Sequence, residues 1–554
     1  MIAWGIPITV MAGMMGGSAI AQTPPSTSEL GRIGERFQTP EAPKSVPDKV
    51  EIPEPAFGMP DQAEKIHFVL EGVDIDGAKM FSAPEFAGLY APLLHNEVTL
   101  ADIYRVRDAI TAKYRSEGYI LSQALVPPQS ITGGVVHIRV IEGSIEIVTV
   151  EGAAGSDPIV RSTALQVKAS RPFKAHDLER SALLIGDIPG MTIHTILRPS
   201  ATSGQADLVV STERKRVDIV LFADNRGSQA IGPFEFGASA TLNGLTGPDS
   251  LSLLYASASP TSELSYVAGH YQRVLSPSGL KLDLSVSSSR SHPGGALSVL
   301  APLGTGTIAT IGFDQPLIRT RAKTLRVDFS FTVQNTRTDL LATTFARDHI
   351  RYLTAGLSYD ASDMWLGQPA SNLVRLELAH GLNILSPTPT GTANLSRANG
   401  RSDFTLASAE IDRVQRFSGP FSIVFSAFGQ RGFVPLLSSQ QFGLGGKRFG
   451  RGYEPSELTG DSGVAFSIEP RVDVPLNSFN LQFYGFYDVG KVWDRRPLVG
   501  SPSSQSLSSA GGGVRARIGD HVSVSFELAK PLTRDVTSRA NRDWRPLFEV
   551  SLHF

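Results

Sequence analysis

Strict two-residue alternation over more than half of the chain is the feature that most limits its fold. Beyond Arg216 the helical period disappears, and apolar residues recur at every second position. One run places apolar side chains at positions 325, 327, 329, 331 and 333, with Arg326 and Asp328 between them. Successive side chains of a strand point to opposite faces, so these strands have one apolar face and one face that is often charged. The pattern predicts many strands whose charged face meets water.

A membrane-spanning barrel fits this pattern better than a secreted β-sandwich or solenoid. The runs are long, and the segments between them are rich in Gly, Ser, Pro and Asn. The segment 547–554 alternates to the final Phe554, which is typical of the closing strand of a bacterial outer-membrane barrel. From 217 to 554 there are 554 − 216 = 338 residues, and roughly 20 residues per strand and connection give about 16 to 17 strands. We predict a transmembrane antiparallel barrel of sixteen strands at 215–554.

Composition excludes several classes of protein. With no cysteine, 8% aromatic and 19% charged residues, the chain is neither a disulfide scaffold nor a charge-rich disordered chain. Lys and Arg (51) nearly balance Asp and Glu (53), so no long-range positive field favours nucleic acid. Gly446-Lys447-Arg448 lacks the Ser or Thr of a phosphate loop, and no metal-binding motif occurs. We expect no cofactor and no metal.

The N-terminal region predicts export. Residues 1–21 are an apolar run ending in Ala19-Ile20-Ala21, the small-x-small pattern of a signal-peptidase site; the alternative is a retained membrane helix. Residues 22–60 hold many prolines and are expected to form an extended linker. Within it, 27–37 has the apolar spacing of a short helix that could plug a pore, the alternative being a disordered tail.

Two small α/β modules are predicted between the linker and the barrel. Residues 61–143 contain an apolar strand at 66–70, two helices with capping boxes that begin at Ser82 and Thr99, and strands before Glu142-Gly143. Residues 144–214 repeat this order in a shorter form.

Three stretches carry a resemblance to a known family. They are 118–129 with 140–143, then 178–184 and 187–190 with 206–210, and finally Gly445 to Tyr453 followed by Gly460 to Gly463. In this order they resemble the outer-membrane transporters of two-partner secretion, of the haemolysin secretion/activation type. That family combines polypeptide-transport-associated (POTRA) modules with a β-barrel.

The resemblance implies a loop that folds back into the barrel with Arg451, Gly452 and Tyr453 at its tip. Phe486-Tyr487-Asp488-Val489-Gly490 is similar to the strand motif whose acid pairs with the loop arginine, so Asp488 is expected opposite Arg451. Sequence spacing alone is also compatible with an alternative, in which Arg451 and Asp488 are two unrelated charges in a water-filled lumen. Gly446 and Gly452 are expected to give the tip unusual backbone conformations. Gly450 departs from the pattern of the wider superfamily, which usually has a β-branched residue such as Val there.

The same resemblance implies a function. The protein would be a pore in the bacterial outer membrane, with periplasmic modules, that secretes one large unfolded exoprotein by two-partner (type Vb) secretion; activation of that exoprotein is left open. Its other expected partners are outer-membrane lipid and, during biogenesis, the barrel assembly machinery. The modules would bind the client by strand addition, with Tyr119 and Leu121 lining a groove. The alternative for these two side chains is a place in the module core.

Other functions fit the residues less well. A barrel-assembly insertase would normally carry more modules than two, and a passive porin would have no need of the modules. Gly460 to Gly463 has the look of a serine-protease turn, with His380 upstream, but position 464 is Val and no third group can be located. We therefore expect a transporter and not an enzyme.

Overall fold

The computed structural model describes residues 32–37, 58–202, 204–477, 479–497 and 500–554. The expected signal peptide at 1–21 lies outside these residues, as does most of the expected linker at 22–60. Of the helix expected at 27–37, the described part contains one helical turn, α1 (Ile33–Arg36).

The first module contains two small sheets and two helices. Strand β2 is parallel to β5, which also pairs with β4, while β1 pairs with β3. The elements are β1 (His67–Val69), β2 (Gly72–Asp76), α2 (Ala83–Tyr90), β3 (Glu97–Thr99), α3 (Leu100–Ser116), β4 (Gln123–Leu125) and β5 (Val135–Ile141). Both predicted capping boxes are present, at Ser82 and at Thr99.

The module differs from the prediction in having a second strand before its first helix. Strand β2 carries acids at Asp74 and Asp76, which makes it look unlike a core strand. On the neighbouring β5, His137 and Arg139 lie against these acids, at 2.8 and 3.1 Å. The polar face of the sheet is thus stabilised by cross-strand pairs, and its other face covers the module core.

The second module follows the predicted order. It consists of β6 (Ser144–Gly152), α4 (Pro158–Leu165), α5 (Ala175–Gly186), β7 (Met191–Pro199) and β8 (Gln205–Arg214). Its sheet has the order β6-β8-β7, with β6 parallel and β7 antiparallel to β8. Short 3-10 turns elsewhere span Ala63–Lys65, Ala91–Leu93, Gln166–Ala169, Gly295–Leu300 and Ser438–Gln440.

The rest of the chain forms a closed antiparallel barrel of sixteen strands, which confirms the predicted fold class. The strands are β9 (Val217–Asp224), β10 (Phe234–Asn243), β11 (Asp249–Ser259), β12 (Leu264–Val274), β13 (Lys281–Ser291), β14 (Leu303–Arg319), β15 (Lys323–Leu340), β16 (Thr343–Trp365), β17 (Gln368–Gly381), β18 (Thr405–Arg416), β19 (Phe421–Gly432), β22 (Ser462–Leu476), β23 (Phe479–Trp493), β24 (Ser504–Ile518), β25 (Val522–Pro531) and β26 (Arg545–His553). In the described ranges, no helix is both long and apolar enough to cross a bilayer.

Alternation along the strands separates an apolar outer wall from a polar lumen. Outer side chains such as Phe329 and Leu353 are exposed, whereas the polar residues between them are mostly buried or half-buried. Neighbouring strands stay in register over most of their paired lengths, with shifts at 316–318 of β14 and at 338–339 of β15, so the same face is apolar around most of the circumference. An apolar band around a closed ladder of backbone hydrogen bonds is what hydrocarbon requires.

The second module is docked on the barrel turns at the end where β9 begins. Arg319, at the end of β14, forms a two-bonded ion pair with Asp187, which caps the C-terminus of α5, at 2.6 and 2.7 Å. Lys281 donates to the main-chain oxygen of Asp187 at 3.3 Å. The turn that follows Arg319 adds a bond from the amide of Arg321 to Glu179. These contacts place α5 below strands β13 to β15.

We expect Arg319→Ala to loosen this docking. Hydrogen bonds to charged groups contribute about 1.5–3 kcal/mol, and the substitution leaves Asp187 without the guanidinium. Hydrogen–deuterium exchange of the detergent-solubilised protein should show faster exchange in α5. Arg321→Ala, which removes an exposed side chain from the same turn, is the matched control. Unchanged exchange in Arg319→Ala would contradict the docking role.

Candidate functional site in the barrel lumen

The segment between β19 and β22 folds back into the barrel. It contains a small hairpin of β20 (Phe442–Leu444) and β21 (Leu458–Gly460), with the tip residues 445–457 between them. Phe442 stacks on Phe428 of β19, and Leu444 and Leu458 belong to the same buried cluster as Ala465 of β22. The neighbouring Phe466 is 52% exposed on the outer wall. The hairpin therefore lies against the inner face of the wall.

Arg451, at the tip, is fixed to strands β22 and β23. Its guanidinium donates two bonds to Asp488, from Nε to Oδ2 at 3.1 Å and from Nη2 to Oδ1 at 2.9 Å. Its backbone amide and that of Gly450 also donate to Asp488 Oδ2, at 3.0 and 3.2 Å. Asp488 is fully buried and Arg451 is 6% exposed. The structure thus brings together the two charges that the sequence placed opposite each other.

Further groups hold the guanidinium in one orientation. Arg451 donates to Ser467 at 3.1 Å and to Glu469, and its guanidinium carbon lies 3.7 Å from the ring centroid of Phe486. An arginine over an aromatic face gains about 0.5–2 kcal/mol, with the larger value for desolvated pairs. The planar side chain is therefore held at its edge by acids and at its face by a ring.

Glu469 links this arginine to two more cations of the wall. Its Oε1 accepts from Arg471 and Arg515, each at 2.7 Å, while its Oε2 faces Arg451. Arg515 in turn lies 3.7 Å from the ring centroid of Tyr484, whose hydroxyl donates to Glu527 at 2.9 Å. Sequence reasoning missed Glu469 and Arg515. Alternation along the chain predicts that both side chains lie on a polar face. It does not predict the strand register that brings them together.

The glycines of the tip act in different ways. The expected unusual backbone is present at Gly446 (φ 99) and also at Gly450 (φ 80), where the chain departs from the family pattern. The expectation was wrong for Gly452, which has no such φ. An added Cβ there would lie 2.8–2.9 Å from Pro531 N, Lys530 C and Ser509 Cβ. Gly452 therefore allows the tip to approach the wall closely, because its backbone leaves no room for a side chain.

Tyr453 completes the contact with this wall. Its side chain is 1% exposed, and its hydroxyl donates to the main-chain oxygen of Arg534 at 3.2 Å. The oxygen of Gly452 accepts from Arg545 at 3.2 Å. All four residues predicted around the tip, Arg451, Gly452, Tyr453 and Asp488, thus lie at one place on the inner wall.

The opposite side of the tip reaches other strands. Arg448 contacts Glu410 and, at 3.1 Å, Asp412, both on β18. Lys447, the preceding residue, contacts Glu549 on β26 at 2.7 Å. Between β18 and β26 the barrel order has five strands, β19, β22, β23, β24 and β25. Two adjacent residues bound to strands so far apart show that the tip spans the lumen.

Helix α1 also lies in the lumen. Ile33 is 1% exposed and packs with Ala256 and Tyr266, which are on the inner faces of β11 and β12. Arg36 forms an ion pair with the buried Glu235 of β10, and Arg32 donates to the main-chain oxygen of Gln441 beside β20. The helix therefore contacts both the barrel wall and the inward hairpin.

The structure corrects the expected position of Tyr119 and Leu121. Tyr119 is 5% exposed and packs edge-on against Tyr114 and Phe81 in the core of the first module. Leu121 packs against the core of the second module. Tyr119 therefore takes the core position that the sequence left open as the alternative to a groove, and Leu121 is half-buried.

Asp461 has a structural role that the protease-like pattern concealed. It is fully buried and accepts bonds from the amides of Leu436 and Arg495, at 2.7 and 2.8 Å, and from the side chain of Arg397. It thus joins the base of the inward segment to two neighbouring loops.

Phe554, expected in the closing strand, follows β26 and exchanges backbone bonds with Ile219 of β9 at 2.9 and 3.3 Å.

Two parts of the chain match models of known protein families. Residues 68–143 match the POTRA domain of the ShlB type, and residues 204–516 match the haemolysin secretion/activation protein family ShlB/FhaC/HecB. The second match covers more than half of the chain. The chain belongs to this family.

Relatives and solved structures agree with this assignment. The heme/hemopexin transporter protein HuxB of Haemophilus influenzae (strain 86-028NP) is 25% identical over 469 residues, 82% of this chain and 81% of HuxB. The structure of CdiB from Escherichia coli has a TM-score of 0.70 at 18% identity and covers 92% of this chain and 94% of CdiB. CdiB from Acinetobacter baumannii has a TM-score of 0.63 at 16% identity, covering 95% and 97%. At these identities the structures show the fold.

The transporter is therefore a two-partner secretion protein of the outer membrane. Its family consists of transporters and not of enzymes, as the sequence indicated. In such proteins the POTRA modules are periplasmic, so the end of the barrel that carries the second module faces the periplasm. The inward segment then starts from the outer surface.

We expect Gly452→Ala to displace the tip of this transporter. The methyl group has no room against the backbone at 530–531, so the tip must move away from the wall. Limited trypsin digestion should then cleave at Lys447, Arg448 or Arg451 faster than in the parent protein, where Arg448 is half-buried and Arg451 is buried. Gly429→Ala on β19 is the control, since its Cβ would meet neighbours only at 3.7 Å or more. Equal protection in both variants would contradict the tight packing.

Proposed function

We propose that the transporter secretes one large unfolded exoprotein and that the inward segment is its gate. In this proposal residues 61–143 and 144–214 receive the client in the periplasm, and the barrel at 215–554 conducts it. The tip with Arg451 and helix α1 block the lumen at rest. Release of both opens a path to the outer surface.

The observation that carries the proposal is the tip held across the lumen by ion pairs at several strands. Arg451 is bound at β22 and β23, Arg448 at β18 and Lys447 at β26. A loop with only a structural role at the outer surface has no need of buried charges deep in the barrel. Ion pairs suit a gate, because a loop can leave them for water at a small net cost.

Helix α1 supports the proposal from the other side of the lumen. It lies between β10 to β12 and the inward hairpin, so it occupies space that the tip leaves free. One helical turn is not stable by itself in water. Its helical state therefore depends on the wall contacts, and loss of these contacts removes the plug.

The modules support strand addition rather than a side-chain groove. Strand β7 (Met191–Pro199) pairs on one side only, with β8, among the strands that the structure describes. A free edge offers backbone donors and acceptors, which an extended client binds regardless of its side chains. We therefore assign client binding to this edge in place of Tyr119 and Leu121.

The driving force for transport is inferred from the periplasm, the compartment from which the client starts. The periplasm holds no obvious supply of ATP, so no nucleotide drives the transport. An exoprotein that folds outside buries apolar surface, which makes its return through the pore unfavourable. The transporter then needs only to hold the client unfolded and to open.

The gate is tested by Arg451→Ala, Asp488→Ala and the double variant. We expect each single variant to lower secretion about tenfold or more, because a buried charge that loses its partner costs about 3–5 kcal/mol and the tip is then misplaced in the lumen. The double variant should be no worse than the singles, since the two groups are direct partners and their effects are not additive. The measurement is the exoprotein in the medium at equal barrel abundance.

Arg517→Ala, which removes an exposed charge from β24, is the control and should secrete normally. Wild-type secretion by all three gate variants would contradict the proposed gate.

Deletion of the gene distinguishes this function from the other two candidates. Depletion of many outer-membrane proteins would indicate an assembly insertase, and steady flux of small solutes through the parent protein would indicate a porin.

The plug is tested by Ile33→Asp. An aspartate at this buried position in an apolar cluster loses its hydration, so we expect the helix to leave its pocket. Conductance in planar lipid bilayers should rise, with more frequent open events than in the parent protein. Ile33→Val is the control, since it costs only about 0.5–1.5 kcal/mol and keeps the pocket apolar. Unchanged conductance in Ile33→Asp would show that α1 does not block the lumen.

A further inference from the structure

The hairpin between β16 and β17 projects from the periplasmic rim. Strand β16 pairs with β15 as far as Ala361, and β17 pairs with β18 from Ala370 onward. The two strands continue to pair with each other down to Trp365 and Gln368. Residues 362–369 thus extend beyond both neighbouring strands at the end of the barrel where the second module is docked.

The end of this hairpin is apolar and exposed. Met364, Trp365 and Leu366 are 66%, 52% and 78% exposed. Leu366 and Gly367 have φ values of 51° and 72°, as in the two-residue turn for which Asn-Gly is the favoured sequence. Leucine in this conformation is strained, and its side chain is in the open. Neither turn chemistry nor packing explains an apolar residue here, which points to a role in contact with another molecule.

Hydrocarbon does not cover the hairpin end. Asp363 lies on the outer face together with Leu357 and Tyr359, and it forms a two-bonded pair with Arg413 of β18 at 2.8 and 3.0 Å. Charged pairs on the outer face mark the border of the apolar band. Residues 364–367 follow Asp363 and lie beyond that border, in the periplasm.

The hairpin end lies beside the interface with the second module. The amide of Ser362 donates to Ala322 at 2.8 Å in the β14–β15 turn. The same turn region holds Arg319 and Arg321, which bind Asp187 and Glu179 of the module. The apolar residues therefore continue the module–barrel interface along the rim of the periplasmic mouth.

We propose that Met364, Trp365 and Leu366 form a docking surface for apolar side chains of the unfolded exoprotein as it passes from the second module into the lumen. The proposal rests on the proposed function. Apolar contact is non-directional, so it accepts many sequences, and three side chains bind weakly enough for the chain to move on. Asp363 and its partners keep the hairpin in place while the client passes.

The test is a variant that removes the apolar surface without weakening the fold. Leu366→Asn creates the favoured Asn-Gly turn, and combined with Trp365→Ser it removes two of the three exposed apolar side chains and leaves Met364. We expect this double variant to lower secretion about fivefold at equal barrel abundance, as loss of a contact hot spot does. The probe is the secreted protein that disappears on gene deletion.

The matched control is Leu341→Asn at the other end of β16. Leu341 has a φ of 48° and is 65% exposed, in a turn of the same kind on the outer surface. It should secrete like the parent protein. Parental secretion by the 365/366 variant, or an equal loss in Leu341→Asn, would overturn the proposal.

Two further measurements separate the other outcomes. In vesicles of phosphatidylcholine brominated on its acyl chains, the fluorescence of Trp365, obtained as the difference from Trp365→Phe, should not be quenched. Quenching would identify a lipid anchor and overturn client docking. If Arg451→Ala blocks secretion but the 365/366 variant does not, the docking surface alone fails. If gene deletion removes no exoprotein, the proposed function fails.

Discussion

Closure of the backbone hydrogen-bond ladder is the constraint on which the rest of the structure depends. In hydrocarbon an unpaired amide or carbonyl costs several kcal/mol, so the sheet must have no free edge. The first and last strands meet this need by pairing from Asp224 with Glu549 to Val220 with His553. Once the wall is closed, every second side chain must point into the lumen. The charged residues of these strands then have to find partners inside a confined space.

The inward segment supplies many of those partners. Asp488 and Glu469 are acids on the inner wall with almost no exposure, and burial of such groups without a cation is strongly unfavourable. Arg451 enters from the loop and meets both. Arg448 does the same for the acids of β18. The position of the loop is therefore a consequence of where a closed barrel leaves its charges, and the wall and loop form one electrostatic unit.

The sequence predicted the fold well because alternation and chain length are local properties. It also placed Arg451 opposite Asp488, since a family motif carries both. It did not reveal Glu469 and Arg515, because alternation gives the face of a residue and not its neighbour across the sheet. Gly452 was expected to have an unusual backbone, whereas its role is close approach to a distant strand. Tyr119 occupies the core of the first module, which was the alternative to a groove that the sequence left open, and Leu121 is half-buried against the core of the second module.

Adjacent tip residues bound to separate strands have a mechanical consequence. A loop held at one place can swing about that place, and each small swing would leak a little. Here Lys447, Arg448 and Arg451 bind different parts of the circumference, so no single bond can act as a pivot. The segment is thus attached to the wall at several places at once. For the gate proposed above, this attachment predicts one all-or-none detachment in place of a graded leak.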